Sequence, residues 1–164
     1  GQVGDNTQTY GFAVHRGRLQ VATWPSGRVF EREGDAWADR GRLGEEKEVM
    51  GMLVHNGSLY AGTLPLALAY RHDGDRDWTM LKRLDTTPDV EYRRVWTMAQ
   101  HDGRLFATTI PSGHVWSLRT GACVTWDRPF PAGWHHVAAQ RAGGGLRLFV
   151  DGVVAAESAA AGGR

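Results

Sequence analysis

A chain of 164 residues, 41% of them hydrophobic, can bury the core of one domain or of two small ones, which excludes a disordered tail. Nineteen Lys and Arg stand against eighteen Asp and Glu, a formal charge of +1 without basic or acidic blocks, so the chain carries no footprint for nucleic acid or a charged membrane surface. Its single cysteine, Cys123, excludes an internal disulfide framework and a cysteine-built zinc site, and its longest apolar run, Leu64 to Tyr70, is far below the ~20 residues of a membrane-spanning helix.

The chain opens on Gly1-Gln2-Val3, which is not a signal peptide, and an upstream segment is expected. From residue 10 three similar segments follow. They read GFAVHRGRLQVATWPSGRVFEREGDAW, GMLVHNGSLYAGTLPLALAYRHDGDRDW and TMAQHDGRLFATTIPSGHVWSLRTG, and the first position of correspondence recurs 40 and then 46 residues on, at His15, His55 and His101. Gly17, Gly57 and Gly103 correspond, as do Leu19, Leu59 and Leu105, then Thr23, Thr63 and Thr109, then Pro25, Pro65 and Pro111, then Phe30, Tyr70 and Trp116.

Each segment predicts four short strands. The first covers Gly11 to His15, Met50 to His55 and Val95 to His101, and ends at Arg16-Gly17, Asn56-Gly57 or Asp102-Gly103. Asn-Gly and Asp-Gly predict type I′ hairpins, whose two central residues need positive φ. The second strand runs to the conserved-position Thr and stops at the proline, which cannot donate to a sheet ladder. The third carries Phe30, Tyr70 or Trp116, and turns at Gly34-Asp35 or Gly74-Asp75 lead to a fourth near Trp37 or Trp78. Only Glu45 to Met50 could make a short turn of helix.

From Pro131 the pattern changes to PAGWHHVAAQRAGGGLRLFVDGVVAAES. Trp134 to Gln140, Leu146 to Val150 and Val153 to Glu157 predict a three-stranded meander, turning at Ala142 to Gly145 and at Asp151-Gly152. The fold class expected is all-β: a partial β-propeller of about three four-stranded antiparallel blades, residues 1–120 (about 10–48, 49–94 and 95–120), then a β-meander in residues 121–164.

Residues 10 to 120 resemble kelch-like propellers of WD size, in which a glycine-bearing turn is followed by an aromatic and then a tryptophan; Thr-x-Pro-x-Gly replaces the double glycine of kelch. The layout also resembles propeller repeats found beside lectin-type domains in large secreted bacterial proteins. Trp-His-His-Val-Ala and Leu-x-Leu-Phe-Val-Asp-Gly resemble the central hairpins of laminin-G, pentraxin and concanavalin-A-like sandwiches over 25 to 30 residues. The resemblance implies a secreted, extracellular or periplasmic setting and a truncated lectin-like sandwich; a degenerate fourth blade is the alternative. A propeller closes with ~4–8 blades, so unpaired flanks are expected to favour self-association.

Candidate chemistry is sparse. The three histidines sit before equivalent turns and read as turn-flanking polar residues spread along a rim; His135 and His136, adjacent on a strand, point apart and cannot chelate together. Asp73, Asp75 and Asp77 imitate a calcium loop, but Trp78 and Leu84 stand where it needs Gly and Glu. A sialidase needs an arginine triad and a tyrosine nucleophile, and the neighbouring Tyr92, Arg93 and Arg94 cannot converge on one carboxylate. Glu45, Glu46, Glu48, Asp89 and Glu91 offer carboxyl groups with nothing to select a glycosidase pair, and read as solvated loop charges. Trp37 and Trp78 read as core; Trp24, with no aromatic counterpart, reads as an exposed stacking residue.

The loops after the second strands and those joining one segment to the next should share one face, which places the ligand-binding candidates Trp24, Tyr92, Arg93 and Arg94 together. The function expected is a noncatalytic binding module for carbohydrate or glycoconjugate, without cofactor or metal. A sialidase-type or other glycoside hydrolase fragment and a protein-interaction scaffold are the alternatives, so the partner is a carbohydrate or a protein surface.

Overall fold

The computed structural model describes residues 1–101, 103–119, 124, 126 and 130–158; Asp102 and Cys123 lie outside them. Among the described residues fourteen strands form four antiparallel sheets. Sheet I holds β1 (Gln8–His15), β2 (Arg18–Trp24), β3 (Arg28–Glu33) and β4 (Ala36–Arg42) in chain order. Sheet II holds β5 (Glu48–His55), β6 (Ser58–Leu64), β7 (Leu68–Gly74) and β8 (Asp77–Arg83) in the same order. Sheet III has β9 (Arg94–His101), β10 (Arg104–Ile110) and β11 (Val115–Arg119); sheet IV has β12 (Val137–Ala142), β13 (Gly145–Val150) and β14 (Val153–Glu157). Among the described residues there is no helix. The turn of helix expected at Glu45 to Met50 is absent: Gly44 takes φ 56°, and β5 begins at Glu48.

Turn chemistry accounts for the spacing. Arg16-Gly17 has φ of 51° and 75°, and Asn56-Gly57 of 48° and 74°, the double positive φ that a type I′ hairpin requires. One residue of the second outer turn differs from expectation: Gly74 stays in β7 as an irregularity and Asp75, at φ 44°, begins the turn. The first hairpins of sheets I, II and III share one register. Gln8 pairs Trp24, Glu48 pairs Leu64 and Arg94 pairs Ile110; each ladder then breaks once, and each ends on the histidine. The peptide bonds before Pro25, Pro65 and Pro111 are all cis.

A buried polar plug closes each proline turn. Thr23, Thr63 and Thr109 are buried; the Thr23 and Thr109 hydroxyls donate to the carbonyls of Arg28 and His114 at 2.8 and 3.3 Å, and the Thr63 hydroxyl accepts from the Leu68 amide at 3.2 Å. From the linker before each sheet comes one acceptor: Ser26 N–H donates to Asn6 Oδ1 (3.3 Å), Leu66 N–H to Glu46 Oε2 (3.1 Å) and Ser112 N–H to Asp85 Oδ2 (3.0 Å). Glu46 also accepts from the Thr63 hydroxyl at 2.6 Å, and Asp85 from the Thr87 amide and hydroxyl. Glu46 and Asp85 are buried, as is Glu48, so the solvated reading holds for neither Glu46 nor Glu48. Burial pushes the Asp85 carboxyl up, but the bonds from Thr87 and Ser112 outweigh it and hold the group well below the usual carboxylate range.

Sheets I, II and III stack in chain order, with β1 against β5 and β5 against β9. Glycine permits the approach. A Cβ at Gly11 would lie 2.7 Å from the Met50 carbonyl oxygen, and one at Gly51 3.0 Å from Thr97 Cα. Between sheets I and II, Ala22, Val29 and Leu43 bury against Val49, Met52, Leu59, Ala61 and Tyr70. Between II and III, Tyr60 and Leu84 bury against Val95, Leu105 and Ala107. Trp37 and Trp78 pack at core edges as expected. His15 and His55 flank their turns as expected, and both are buried: His15 Nε2–H donates to the Gly57 carbonyl at 3.1 Å, tying sheet I to the first turn of sheet II.

Two outcomes follow from this packing. Gly11→Val should cost about 1–3 kcal/mol in urea unfolding, because backbone rather than a side-chain tip meets the new atoms. Asp85→Asn should cost about 1–2 kcal/mol at pH 7. Since the folded state depresses the Asp85 pKa below the ordinary 3.8, wild type should keep its advantage above about pH 4 and lose it as the pH falls further, in parallel melts of the two proteins.

Candidate functional site

The register brings Gln8, Glu48 and Arg94 to the starts of the three adjacent first strands, at the end where the linkers and proline turns meet. Their side chains form one electrostatic cluster with Tyr10 and Tyr92. Tyr10 OH donates to Gln8 Oε1 at 2.5 Å. The Arg94 guanidinium carbon lies 5.8 Å from the centre of the exposed Tyr92 ring, within cation–π range. Burial pushes the Glu48 carboxyl up, against the opposing pull of Arg94 and of a hydrogen bond with Tyr10. Tyr10 is raised by burial and by Glu48, with Arg94 acting the other way. Sheets I, II and III therefore contribute one group each to a single field, and Tyr10, Tyr92 and Trp96 leave aromatic surface exposed around it.

Of the four residues expected at a ligand face, Tyr92 and Arg94 belong to this rim. Arg93 is committed to structure: its amide donates to the Pro65 carbonyl at 2.9 Å and its Nε to the Thr87 carbonyl at 2.6 Å, which fixes the long linker into sheet III. Trp24 lies across from Gln8 in the β1–β2 ladder and is half-buried. Tyr10 and Glu48 were not singled out as a pair from sequence, although positions 8, 48 and 94 are aligned by the same spacing that aligns the histidines.

A second concave feature, a cleft of about 800 Å³, opens between sheets II and III, with Tyr60, Arg71, Lys82 and Trp116 in its walls. Lys82 Nζ lies 4.5 Å from the Trp116 ring centre. The corresponding space between sheets I and II is filled. There Glu31 accepts from Arg18, Gln20 and Arg40, whose bonds outweigh burial and lower its pKa, and the Trp78 indole donates to the Arg40 carbonyl at 2.8 Å.

In sheet IV, His135 precedes β12 instead of lying on it. Its Nδ1–H donates to Asp151 Oδ2 at 2.6 Å, while Asp151 Oδ1 accepts from the His136 amide at 2.9 Å, so the pair anchors the entry of the meander to its Asp151-Gly152 turn. The hydrogen bond to Asp151 and a second from Nε2 to the Ala132 carbonyl raise the His135 pKa. Among the described residues no group of three or more His, Cys, Asp or Glu side chains is placed to hold a metal ion. Nor does any helix long and apolar enough to cross a membrane occur among them.

Comparison with protein-family models, with curated proteins and with solved structures finds no match.

The rim yields a signed pH dependence. The folded state raises the Glu48 pKa above the ordinary 4.5, so it holds a proton that the unfolded chain releases, and stability falls as pH rises from about 4.5 through the folded value. Glu48→Gln copies the protonated shape. It should melt above wild type on the alkaline side of that window and match it on the acid side, by differential scanning calorimetry from pH 4 to 8.

Proposed function

We propose that the chain is a noncatalytic binding module whose ligand, a carbohydrate or glycoconjugate, sits on the rim built by Gln8, Tyr10, Glu48, Tyr92 and Arg94. In this reading sheets I to III are blades of a kelch-like, WD-size propeller array, and residues 121–164 begin a laminin-G or concanavalin-like sandwich or supply a degenerate further blade. A secreted setting accompanies that reading. The observation that carries it is the convergence of one group from each of three sheets beside exposed aromatic rings. The Arg94 guanidinium, in the field of the buried Glu48, suits paired hydroxyls, and ring faces suit the apolar face of a sugar.

The same groups invite the glycoside-hydrolase alternative, because a tyrosine, a glutamate and an arginine meet. The electrostatics favour binding instead. An attacking tyrosine needs a lowered pKa, whereas burial and the Glu48 charge raise that of Tyr10. A retaining or inverting pair also needs two carboxylates facing one bond; here Glu48 is buried, whereas Glu91 is exposed on the linker and engaged by Tyr92.

A glycan array probed with the 164-residue chain tests the reading. Retention of a defined glycan class is expected, and Tyr92→Ala should weaken it several-fold, the loss of a stacking contact of about 1 kcal/mol, without moving the melting temperature. Trp24→Ala should weaken it less. No retained glycan, or retention that both substitutions leave unchanged, would leave the scaffold reading in its place.

A further inference from the structure

We propose that copies of this chain associate head to tail, the free face of sheet III in one copy seating on the free face of sheet I in the next. This rests on how the sheets stack and not on the ligand reading. Inside the chain the same pair of surfaces meets twice, at the I–II and II–III junctions, and among the described residues each surface is left over once.

The first surface is the one sheet II turns toward sheet I, carrying Met52, Val54, Ala61 and Tyr70. Sheet I has Phe12, Val14, Val21 and Phe30 at the corresponding places. Val3, from the chain's own first residues, covers Val21 and Phe30. Phe12 and Val14 stay 59% and 50% exposed, whereas Met52 is 9% exposed. A shallow groove of about 280 Å³ runs beside them, walled by Val3, Phe12, Val21 and Trp37.

The second surface is the one sheet I turns toward sheet II, with Ala13, His15, Ala22 and Val29. Sheet III carries Ala99, Thr108 and Val115 there; Val115 is 68% exposed and Val29 0%. Trp116, the next residue, faces the other way into the II–III core, so strand alternation fixes Val115 on the free side. The two free faces differ from each other and match in the order already used within the chain, which makes the contact heterologous rather than isologous.

The linkers carry the same register. Leu43 and Leu84 sit between sheets and their amides donate to the carbonyls of Gly27 and Ala67, both at 2.9 Å. Val3 holds the corresponding place ahead of sheet I, since Asn6 N–H donates to its carbonyl as Glu46 N–H does to that of Leu43, and Gly113 holds the place of Gly27 in sheet III. The junction between copies thus offers a Val3 amide to a Gly113 carbonyl, and Phe12 and Val14 to Val115 and Ala99. It is looser than the internal ones, because Thr97 stands where Gly11 and Gly51 allow close approach. Association is therefore concentration-dependent.

Sedimentation of the full 164-residue chain with two variants, Phe12→Asp and Val115→Asp, tests this directly. Both sites are exposed, so each variant should fold, with circular dichroism and melting like wild type. Wild type should gain mass with concentration, and each variant alone should stay monomeric. A 1:1 mixture should form dimers and nothing larger, because each variant keeps the face that the other has lost. A wild-type chain that stays monomeric into the millimolar range overturns the proposal. So does either variant associating alone as wild type does, which would mean like faces pairing, or a mixture that stays monomeric.

Discussion

The structure depends on one constraint: every proline turn directs inward a part-buried backbone donor whose acceptor comes from outside the turn. A buried, unpaired amide costs on the order of 1–3 kcal/mol, comparable with the net value of several ordinary hydrogen bonds. The chain meets it by reaching back one linker for a side-chain oxygen, from Asn6, Glu46 or Asp85. The threonine hydroxyl then satisfies the far side of the turn. Because the acceptor comes from the segment entering the sheet, the bond locks each linker to the sheet that follows it, and the starts of β1, β5 and β9 are set at a common end. The rim exists because the plugs do.

Stacking adds a second requirement, that first strands approach closely, and the residues at the junctions show which variations it tolerates. Gly11 and Gly51 are dictated by backbone on the neighbouring sheet, so they are small for a reason independent of their own strand. The histidines are less uniform. His15 finds the Gly57 carbonyl, but both ring nitrogens of His55 are buried without a hydrogen-bond partner. That omission forfeits roughly 1–3 kcal/mol by the same reckoning, and the apolar packing of Leu43, Leu59 and Tyr60 beside it has to offset the loss.

Much of the strand order was legible because it rests on local chemistry. The Arg16-Gly17 and Asn56-Gly57 turns, the proline breaks and the glycine turn at 143–144 each force a backbone conformation without help from distant residues. What escaped was tertiary. Glu46 and Glu48 look like loop charges until the turn that Glu46 plugs, and the sheet edge beside Glu48, are in place. Yet Val3-Gly4-Asp5-Asn6 and Leu43-Gly44-Glu45-Glu46 match residue for residue in kind, and extending the alignment upstream would have exposed the plug. Asp85 carries no such trace, because the linker into sheet III is longer. The rim was half legible: Tyr92 and Arg94 stand together in the sequence at the entry to sheet III, whereas Tyr10 and Glu48 needed the three strands to be set side by side.

The two internal junctions reach the same geometry with opposite chemistry, which bears on where recognition can evolve. Between sheets I and II the outer wedge is a charged network in which Arg18, Gln20 and Arg40 all donate to Glu31, while Gln20 Oε1 is buried without a partner. Between II and III the same positions are Ser58, Tyr60 and Arg71, and a cleft remains. Removing one donor from such a network leaves a buried charge less compensated. An apolar wedge tolerates gaps at the cost of lost contacts alone. Variation is therefore cheap on the rim and in the II–III wedge and expensive in the I–II wedge and the plugs. A binding surface on this scaffold is best carried by strand starts and linkers, where a side chain can change without breaking either the turn that positions it or the junction behind it.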